Sequence, residues 1–311
     1  MKIMFMGTPD FALFSLKKLY EAGHEIAAVI TQPDKPVGRG YVLTPPPVKR
    51  WALEQGLTVY QPKTLRDEAF AALLAEVAPE LIVVVAFGKI LPQSVLDYPK
   101  FGCVNVHGSL LPEYRGAAPM QRAIIDGKKV TGITTMLMAD GIDTGDMLLK
   151  SEVEIAENDN FESIHDKLGL TGAELLIETV DRLANGSITP QKQDDSLATY
   201  AAKIEKKDCV IDFSANANTV HNLIRGLSPI PLSLTHTPDG KLLKVVASRV
   251  SDRKNSAGSP CGSVIALDGC ITVACGDGCV DLLTVIPEGK SKMSAADFIR
   301  GRKLSLGDIL K

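Results

Sequence analysis

The residues that most constrain the fold are 81–87, which read Leu-Ile-Val-Val-Val-Ala-Phe without one polar side chain. Successive side chains of a β-strand point to opposite faces, so a strand with this sequence is apolar on both faces. Such strands lie in the middle of parallel sheets, where helices cover both faces. Residues 81–87 therefore predict a central strand of a parallel α/β sheet.

Strand and helix patterns alternate on both sides of this segment. Short apolar runs are separated by helical patterns, among them residues 47–56, 66–76 and 161–184. This alternation is typical of α/β proteins. We therefore predict an α/β fold with a Rossmann-like, mostly parallel sheet and helices on both of its faces.

The pattern changes in the last third of the chain. Residues 190–208 are strongly polar and include the runs QKQDDS and KIEKKD, which predict a linker. One helix near residues 215–226 is then followed by five short strand patterns with Asp-Gly and Gly-Ser turns between them. These strands suggest a small barrel or a sandwich, and our specific prediction is a C-terminal OB-like β-barrel domain. The predicted organisation is a first domain at 1–189, the linker at 190–208 and the barrel domain at 209–311.

Two local features of the first domain give specific expectations. Thr8 precedes Pro9, so Thr8 is expected to be the N-cap of the next helix and Pro9 its first residue. Residues 32–40 contain two prolines and two glycines. A segment so rich in these residues is expected to be an irregular, exposed loop.

Hydropathy and cysteine spacing exclude several classes of protein. No apolar run is long enough for the core of a signal peptide or for a membrane span, so we expect a cytoplasmic protein. The six cysteines contain no CxxC pair. We therefore expect reduced thiols and neither a zinc site nor a redox dithiol.

Charge is distributed unevenly along the chain. Residues 1–199 carry 19 Lys and Arg against 26 Asp and Glu, a net charge of −7, whereas residues 200–311 carry 15 against 11, a net charge of +4. A basic domain attached to an acidic body suggests a polyanionic partner. Chance variation of surface charge explains the same numbers equally well.

Polar side chains interrupt the apolar alternation at residues 103–107, which read CVNVH. Asn105 and His107 share one face of this predicted strand, and Gly108 ends it. An amide N–H can stabilise an oxyanion, and an imidazole can accept a proton from an amine or donate to the oxyanion. With Asp143 to orient the histidine, these side chains suit acyl or formyl transfer to an amine. The segment around Asp143 is also explained as a carboxylate-rich surface turn.

Three loops are expected to converge on this site. Ligands of open parallel sheets bind beyond the carboxyl ends of the strands. The loops at residues 87–92, 108–112 and 140–146 each follow a predicted strand. We therefore expect all three to lie at that end of the sheet and to line a ligand cleft.

Several motifs together resemble one protein family. They are FMGTPDFA near the amino end, QPDKP within 32–40, NVHGSLLP at 105–112, YRG at 114–116, GIDTGD at 141–146 and FIRGRKLSLGD from Phe298. With these residues the chain closely resembles the 10-formyltetrahydrofolate-dependent formyltransferases. The resemblance to the broader family covers about residues 1–189. Three features make it more specific: the loop at residues 31–40 with its QPDKP sequence, the appended C-terminal domain and the FIRGRKLSLGD segment.

The resemblance implies a role for particular residues. Asn105, His107 and Asp143 are implied as the catalytic residues, and Lys35 and Arg39 as contacts to the acceptor end of a tRNA. The folate-binding residues implied by the family are Phe87, Gly88, Ile90, Leu91, Ser109, Leu110, Leu111, Pro112 and Asp140. The first domain would then be the formyltransferase catalytic domain, and the barrel domain would bind tRNA.

The resemblance also implies a reaction. The co-substrate would be 10-formyltetrahydrofolate, and the acceptor would be the α-amine of methionine on initiator methionyl-tRNA. Transfer would be direct, without a covalent enzyme intermediate and without a metal. For partners we expect the tRNA and the folate, no membrane, and a monomeric protein.

Other functions remain open at this point. A formyltransferase acting on a nucleotide-sugar or ribonucleotide amine would use the same three residues, and a formyltetrahydrofolate hydrolase would use water as acceptor. A non-catalytic tRNA-binding protein explains the basic domain but not the polar strand face. A nicotinamide-dependent oxidoreductase is disfavoured, because residues 7–10 read GTPD and supply one glycine of the GxGxxG pattern.

Overall fold

The computed structural model of the chain describes residues 1–37, 40–255 and 258–311. These residues form two compact units. The first comprises Met1–Gly116, Val130–Glu154 and His165–Tyr200, and the second comprises Ala117–Lys129, Ile155–Ile164 and Ala201–Lys311. The chain thus passes from one unit to the other more than once. The domain boundaries at 189 and 209 stay a prediction.

Strands and helices alternate through the first two thirds of the chain. The strands there are β1 Lys2–Gly7, β2 Glu25–Ile30, β3 Lys35–Val37, β4 Val42–Thr44, β5 Val59–Tyr60, β6 Leu81–Val85, β7 Cys103–His107, β8 Arg115–Gly116, β9 Val130–Leu137 and β10 Met147–Glu154. The helices are α1 Asp10–Glu21, α2 Pro47–Glu54, α3 Glu68–Val77, α4 Gln93–Leu96, α5 Pro119–Ile125 and α6 Phe161–Ala184. Among the helices of the described ranges, none combines the length and apolarity needed to span a membrane.

Short strands dominate the remainder of the chain. They are β11 Tyr200–Ala201, β12 Ser233–His236, β13 Leu242–Val250, β14 Val264–Leu267, β15 Ile271–Ala274, β16 Cys279–Pro287 and β17 Met293–Ser294. The helical elements are 3₁₀ turns at Asp195–Leu197 and Lys206–Cys209, with α7 Ala217–Gly226 and α8 Ala295–Arg300.

The first unit is organised around a mostly parallel sheet. Seven of the described strands form it in the order β10-β9-β7-β6-β1-β2-β5. The five strands from β7 to β5 are parallel. At one edge β9 is antiparallel to β7, and β10 is antiparallel to β9. Strand β6 is buried throughout, which confirms the central strand predicted from residues 81–87. The strand order reverses between β1 and β6, and this is where such sheets bind ligands.

Helices cover both faces of this sheet. On one face, Met4 and Met6 of β1 pack with Phe70 and Leu74 of α3. On the other face, α6 approaches β7 so closely that a Cβ added at Gly172 would lie 3.1 Å from Val106. The predicted mostly parallel sheet with helices on its two faces is confirmed.

Two local expectations were wrong. Helix α1 begins at Asp10 with Pro9 as its N-cap, so Thr8 lies outside the helix, and its hydroxyl instead donates to the carbonyl of Phe87 at 3.3 Å. Residues 32–40 are not wholly irregular, because β3 pairs with β4 as a short antiparallel ribbon. Pro36 is tolerated there, since a two-stranded ribbon leaves one edge of each strand without ladder hydrogen bonds.

The second unit is built on antiparallel strands. Its sheet has the order β12-β13-β16-β15-β14, with β17 paired to β16. Helix α7 packs on this sheet and contributes Val220 and Ile224 to a buried apolar core that also contains Leu243, Val245 and Leu282. The predicted C-terminal domain of antiparallel strands is confirmed.

The last residues of the chain close this sheet into a barrel. The backbone of residues 307–310 bonds to the β14 edge: Gly307 N–H and Leu310 N–H donate to the carbonyls of Val264 and Gly262, both at 2.9 Å. Lys311 then exchanges two backbone hydrogen bonds with His236 of β12, at the other edge. Both edge strands thereby gain a partner, which removes the unpaired edges of an open sheet.

We predict that Leu310→Ala destabilises the second unit by about 2–5 kcal/mol, because a buried leucine leaves a cavity when truncated. Leu310 is 2% exposed and belongs to the barrel core. Leu306→Ala is the matched control, since Leu306 is 66% exposed in the same segment. The free energy of unfolding in urea measures both variants. Equal stability of the two variants would contradict the role of the C-terminal residues in closing the barrel.

Candidate active site

Strand β7 brings two of the predicted catalytic side chains to one face of the sheet. Val104 and Val106 are buried on the face that α6 covers, so Asn105 and His107 point to the opposite face. Asn105 is half-buried, and His107 is 6% exposed. Both side chains therefore lie in a partly desolvated environment, where hydrogen bonds and electrostatic interactions are stronger than in water.

Asp143 reaches these two side chains from the loop between β9 and β10. Its Oδ1 accepts a hydrogen bond from Asn105 Nδ2 at 3.4 Å, and its Oδ2 lies 3.6 Å from His107 Nδ1. The three residues meet at one carboxylate, whose side chain is 16% exposed. Their roles in catalysis stay predictions.

The direction from which this loop arrives differs from the expectation. Strand β9 is antiparallel to β7, and Leu137 at its end pairs with Val104 near the amino end of β7. The loop therefore leaves the sheet at the end opposite to the loops after β6 and β7, and it folds back along the sheet toward His107. The expectation that residues 140–146 follow the carboxyl end of a parallel strand was wrong, because an apolar pattern does not encode strand direction.

Backbone geometry and one close contact fix the conformation of this loop. Asp143 adopts a left-handed backbone with φ of 54°, and its Oδ2 accepts the backbone N–H of Gly116 at 2.8 Å. At Gly145 an added Cβ would lie 1.7 Å from the carbonyl oxygen of Leu137, so this position requires glycine. Ile142 is 63% exposed and gives the loop little apolar packing.

A hydrogen bond shows which ring nitrogen of His107 carries a proton. The ring Nε2 lies 3.0 Å from the backbone carbonyl of Tyr114. A carbonyl oxygen only accepts, so Nε2 carries a proton and donates it to this bond. In the neutral ring, Nδ1 then has the lone pair, and this atom faces the carboxylate of Asp143.

Cys103 shares a strand face with Asn105 and His107 but is chemically inert. It is 2% exposed, and its Sγ lies 3.6 Å from the carbonyl of Val95 in α4. Burial, with a smaller contribution from the charge of Asp97, raises the pKa of the Cys103 thiol to about 12. A thiol with this pKa forms almost no thiolate at neutral pH, so Cys103 is unsuited to nucleophilic catalysis.

The loop after β7 is held by a buried threonine. The hydroxyl of Thr134 in β9 donates to the carbonyl of Ser109 at 2.7 Å and accepts the N–H of Leu111 at 3.0 Å. Lys150 in β10 donates to the carbonyl of Leu111 at 2.5 Å, and burial lowers the pKa of its ammonium group. This loop is therefore a fixed wall of the site.

The predicted folate-binding residues fall into three groups by exposure. Phe87, Leu91, Ser109 and Leu111 are buried within the protein, so they can contribute backbone atoms and shape more than side-chain contacts. Leu110 and Pro112 are half-buried. The exposed members are Gly88, Ile90 and Asp140. Their contacts to folate stay predictions.

The predicted tRNA contacts lie in and beside the β3–β4 ribbon. Lys35 is exposed in β3, whereas Arg39 lies outside the described residues. At the base of the ribbon, Lys49 donates to Asp34 at 2.9 Å and Gln61 donates to the same carboxylate at 2.9 Å. The hydrogen bonds from Lys49 and Gln61 hold the pKa of Asp34 below its usual range. This polar cluster fixes the base of the ribbon.

Two residues near the Asp143 loop were not identified from the sequence. One contacts the loop directly, and the other holds the first in place. Gln193 donates two hydrogen bonds to backbone carbonyls of the loop, and Arg115, which is 2% exposed, donates to Gln193. Gln193 lies in the segment predicted as a polar linker, where no pattern distinguishes it from its neighbours. Arg115 was part of a recognised motif, but its sequence gave no sign that it is buried.

Comparison with protein-family models gives two matches. Residues 1–180 match the model described as formyl transferase. Residues 203–303 match the model described as formyl transferase, C-terminal domain. The two matches together cover most of the chain. The first match includes β7 and the loop that contains Asp143.

Curated relatives are similar to the chain over almost its whole length. Methionyl-tRNA formyltransferase of Bacillus subtilis is 48% identical over 312 residues, which cover 99% of this chain and 97% of the relative. Methionyl-tRNA formyltransferase of Caldanaerobacter subterraneus is 47% identical over 312 residues, which cover 100% of both.

Solved structures share the fold at lower identity. An N-formyltransferase of Helicobacter canadensis, in complex with folinic acid and dTDP-3-aminofucose, has a TM-score of 0.67 and 18% identity and covers 91% of this chain and 98% of its own. Methionyl-tRNA formyltransferase of Clostridium thermocellum has a TM-score of 0.56 and 19% identity and covers 82% of this chain and 95% of its own. At such identities the likeness concerns the fold alone.

The thiol chemistry of the site can be tested by alkylation. At pH 8, a thiol with a pKa near 12 is ionised to about one part in ten thousand, and Cys103 is also buried. We predict that iodoacetamide labels the exposed Cys261 and leaves Cys103 unmodified in the folded protein. Peptide mass spectrometry measures both, and labelling in urea is the control for reagent access. Rapid modification of Cys103 in the folded state would contradict its burial and raised pKa.

Proposed function

The chain belongs to the formyl transferase family, and from this premise we propose that it transfers the formyl group of 10-formyltetrahydrofolate to the α-amine of methionine on initiator tRNA. Curated relatives named methionyl-tRNA formyltransferase are 47–48% identical to it over nearly its full length, which supports methionyl-tRNA as the acceptor. The chain is accordingly an enzyme that acts on a tRNA substrate of translation initiation.

The observation that carries this proposal is the meeting of an amide, an imidazole and a carboxylate at Asp143. The amide of Asn105 and the ring of His107 lie 3.4 and 3.6 Å from the two carboxylate oxygens. Formyl transfer to an amine needs a donor for the developing oxyanion and an acceptor for the amine proton. The three side chains provide both.

Asn105 supplies the hydrogen bond to the oxyanion. Its Nδ2 carries two N–H groups, one of which is directed to Asp143 Oδ1. The second N–H can donate to the formyl oxygen, which becomes negative as the amine attacks the formyl carbon. Because Asp143 holds the amide in place before the substrates bind, little reorganisation is needed when the charge develops.

His107 and Asp143 together accept and return the proton. Nε2 of His107 already donates to the carbonyl of Tyr114, so Nδ1 is the ring nitrogen with a lone pair that can accept the amine proton, directly or through a water. The carboxylate of Asp143 stabilises the resulting imidazolium. His107 then gives this proton to N10 of the folate as the bond between N10 and the formyl carbon breaks. The products are formylmethionyl-tRNA and tetrahydrofolate.

The attacking amine requires only modest activation. A free α-amine has a pKa of about 8, so a substantial fraction is neutral at cellular pH. Positioning of the amine and stabilisation of the oxyanion therefore contribute more to the rate than the base does. This agrees with the described part of the site, where Nδ1 of His107 can accept a proton and the buried Cys103 is not activated.

The chemistry of the residues that line the site fits a formylated folate. A pterin ring has flat apolar faces and edges rich in donors and acceptors, so it needs apolar walls together with exposed backbone groups. Phe87 and Leu111 form buried apolar backing, and the exposed residues Gly88 and Asp140 can supply polar groups. These residues would hold the folate, which supplies the formyl group.

Charge and surface features support the tRNA as acceptor. The second part of the chain, residues 200–311, has a net charge of +4, and contacts of Lys and Arg to phosphates give affinity that weakens with salt. Lys35 lies exposed on the β3–β4 ribbon, whose base is fixed by Asp34, Lys49 and Gln61. We propose that Lys35 and Arg39 contact the acceptor end, where a loop can discriminate between tRNAs.

A formylation assay tests the function. With 10-formyltetrahydrofolate as donor, we predict efficient formylation of initiator methionyl-tRNA and much slower formylation of elongator methionyl-tRNA. Formylation of an amino nucleotide-sugar or of a ribonucleotide amine instead of the tRNA would overturn the proposed acceptor. Release of formate at the same rate without any acceptor would indicate a hydrolase.

We predict that Asn105→Ala lowers turnover about 10²–10³-fold, which corresponds to about 2.7–4 kcal/mol for the loss of one oxyanion donor. Folate affinity should change little, because the interaction forms only in the transition state. Single-turnover formylation and equilibrium folate binding measure the two quantities. Asn185→Ala is the control. It removes an amide at an exposed position beyond the end of α6, and it should leave turnover unchanged. Near-normal turnover of Asn105→Ala would remove Asn105 from the mechanism.

A further inference from the structure

The segment that follows residue 190 carries a side chain that the proposed mechanism does not use. Gln193 is half-buried, although Lys192 and Asp194 on either side of it are exposed. Two residues earlier, the backbone of Gln191 exchanges two hydrogen bonds of 2.8 Å with Met147. This pairing places Gln191 beside Met147, the first residue of β10. Strand β10 directly follows the loop that contains Asp143.

The amide of Gln193 bonds to the backbone on both sides of Thr144. Its Nε2 donates to the carbonyl of Asp143 at 2.7 Å and to the carbonyl of Gly145 at 2.8 Å. An amide nitrogen has two N–H groups, so both are used. A single side chain therefore holds the backbone of the residue that faces Asn105 and His107.

Arg115 determines the orientation of this amide. Its Nε donates to Gln193 Oε1 at 2.9 Å, and a guanidinium has no acceptor. The oxygen of Gln193 must therefore face Arg115, which turns the NH₂ group toward the two loop carbonyls. Arg115 is 2% exposed, and its Nη2 donates to Asp195 at 2.7 Å, so the arginine is itself held in place.

We propose that Gln193 is a positioning residue for formyl transfer, which acts by holding the backbone of residues 143–145 so that the Asp143 carboxylate faces Asn105 and His107. Arg115 supports it by fixing the amide. This role rests on the proposed function, because it matters for the rate only if Asp143 takes part in the reaction.

The loop depends on these polar contacts because its apolar packing is slight. Asp140, Gly141 and Ile142 are exposed, and Asp143 has a left-handed backbone, which is uncommon for non-glycine residues although Asp adopts it more readily than most. Loss of the two hydrogen bonds from Gln193 would leave fewer restraints on residues 143–145: the close packing at Gly145, and the hydrogen bonds to the Asp143 carboxylate from the Gly116 N–H and from the Asn105 amide. Small displacements of a catalytic group cost large factors in rate.

A comparison of three variants tests the kinetic part of the proposal. Gln193→Ala removes the amide, and Gln193→Glu places a carboxylate oxygen against the two carbonyls while keeping the contact to Arg115. We expect both to lower kcat about 10- to 100-fold with KM for each substrate changed less than about threefold. Gln191→Ala is the matched control, because its side chain is exposed and its backbone bonds to Met147 remain. Wild-type kcat in Gln193→Ala would overturn the proposal.

A double-variant cycle separates positioning from general stability. If Gln193 acts through Asp143, then Gln193→Ala should change kcat less than about twofold in a protein that already carries Asp143→Ala, because no carboxylate remains to be positioned. The same loss of rate in both backgrounds would show that Gln193 has a merely structural role, and would overturn the proposal.

The resonance of one backbone amide tests the same claim without any reaction. The N–H of Gly116 donates to Asp143 Oδ2 at 2.8 Å, so its proton resonance reports the position of the carboxylate in the ligand-free protein. We expect Gln193→Ala to shift this resonance toward its position in Asp143→Ala, and Gln191→Ala to leave it unchanged. If wild-type protein fails to formylate methionyl-tRNA, the proposed function fails. An unshifted Gly116 resonance in Gln193→Ala would instead overturn the positioning role itself.

Discussion

The carboxylate of Asp143 is the point on which the site depends. It accepts the Gly116 N–H at 2.8 Å, lies 3.4 Å from the Asn105 amide nitrogen and 3.6 Å from His107 Nδ1. A half-buried carboxylate is stable only when donors replace the lost water. The N–H donors of Gly116 and Asn105 therefore stabilise the charge, and they hold the carboxylate 3.6 Å from the imidazole of His107. The same hydrogen bonds that hold the loop thus bring an amide, an imidazole and a carboxylate together.

The antiparallel edge of the sheet makes this arrangement possible. In an entirely parallel sheet, every loop that follows a strand would leave at the same end. Because β9 is antiparallel to β7, the loop that contains Asp143 begins at the other end and crosses the sheet face to reach His107. The loops that line the site thus reach it from two directions. The loops after β6 and β7 lie at the carboxyl ends of these strands, whereas the Asp143 loop comes from their amino ends. The chain after residue 190 then supports that loop through Gln193.

Much of the fold was predictable because burial leaves a direct pattern. The continuous apolar residues of β6 and the helical period of α6 indicated their elements closely, and the alternation in β7 correctly placed Asn105 and His107 on one face. The features that were missed depend on contacts with distant residues. The β3–β4 ribbon contains Pro36, a residue that argues against a strand, and the barrel is closed by five C-terminal residues that carry no strand pattern.

The layers of the fold, the chemical groups on β7 and, through the motifs, the family could all be predicted from the order of the amino acids. These properties follow from residue identity and spacing along neighbouring positions. Three properties became known only from the folded chain: which nitrogen of His107 carries the proton, the burial and raised pKa of Cys103, and the hydrogen bonds by which Gln193 and Arg115 support the Asp143 loop. Each of these depends on hydrogen bonds or burial between segments far apart in the chain. Such contacts are set by strand direction and packing, which local sequence patterns do not encode.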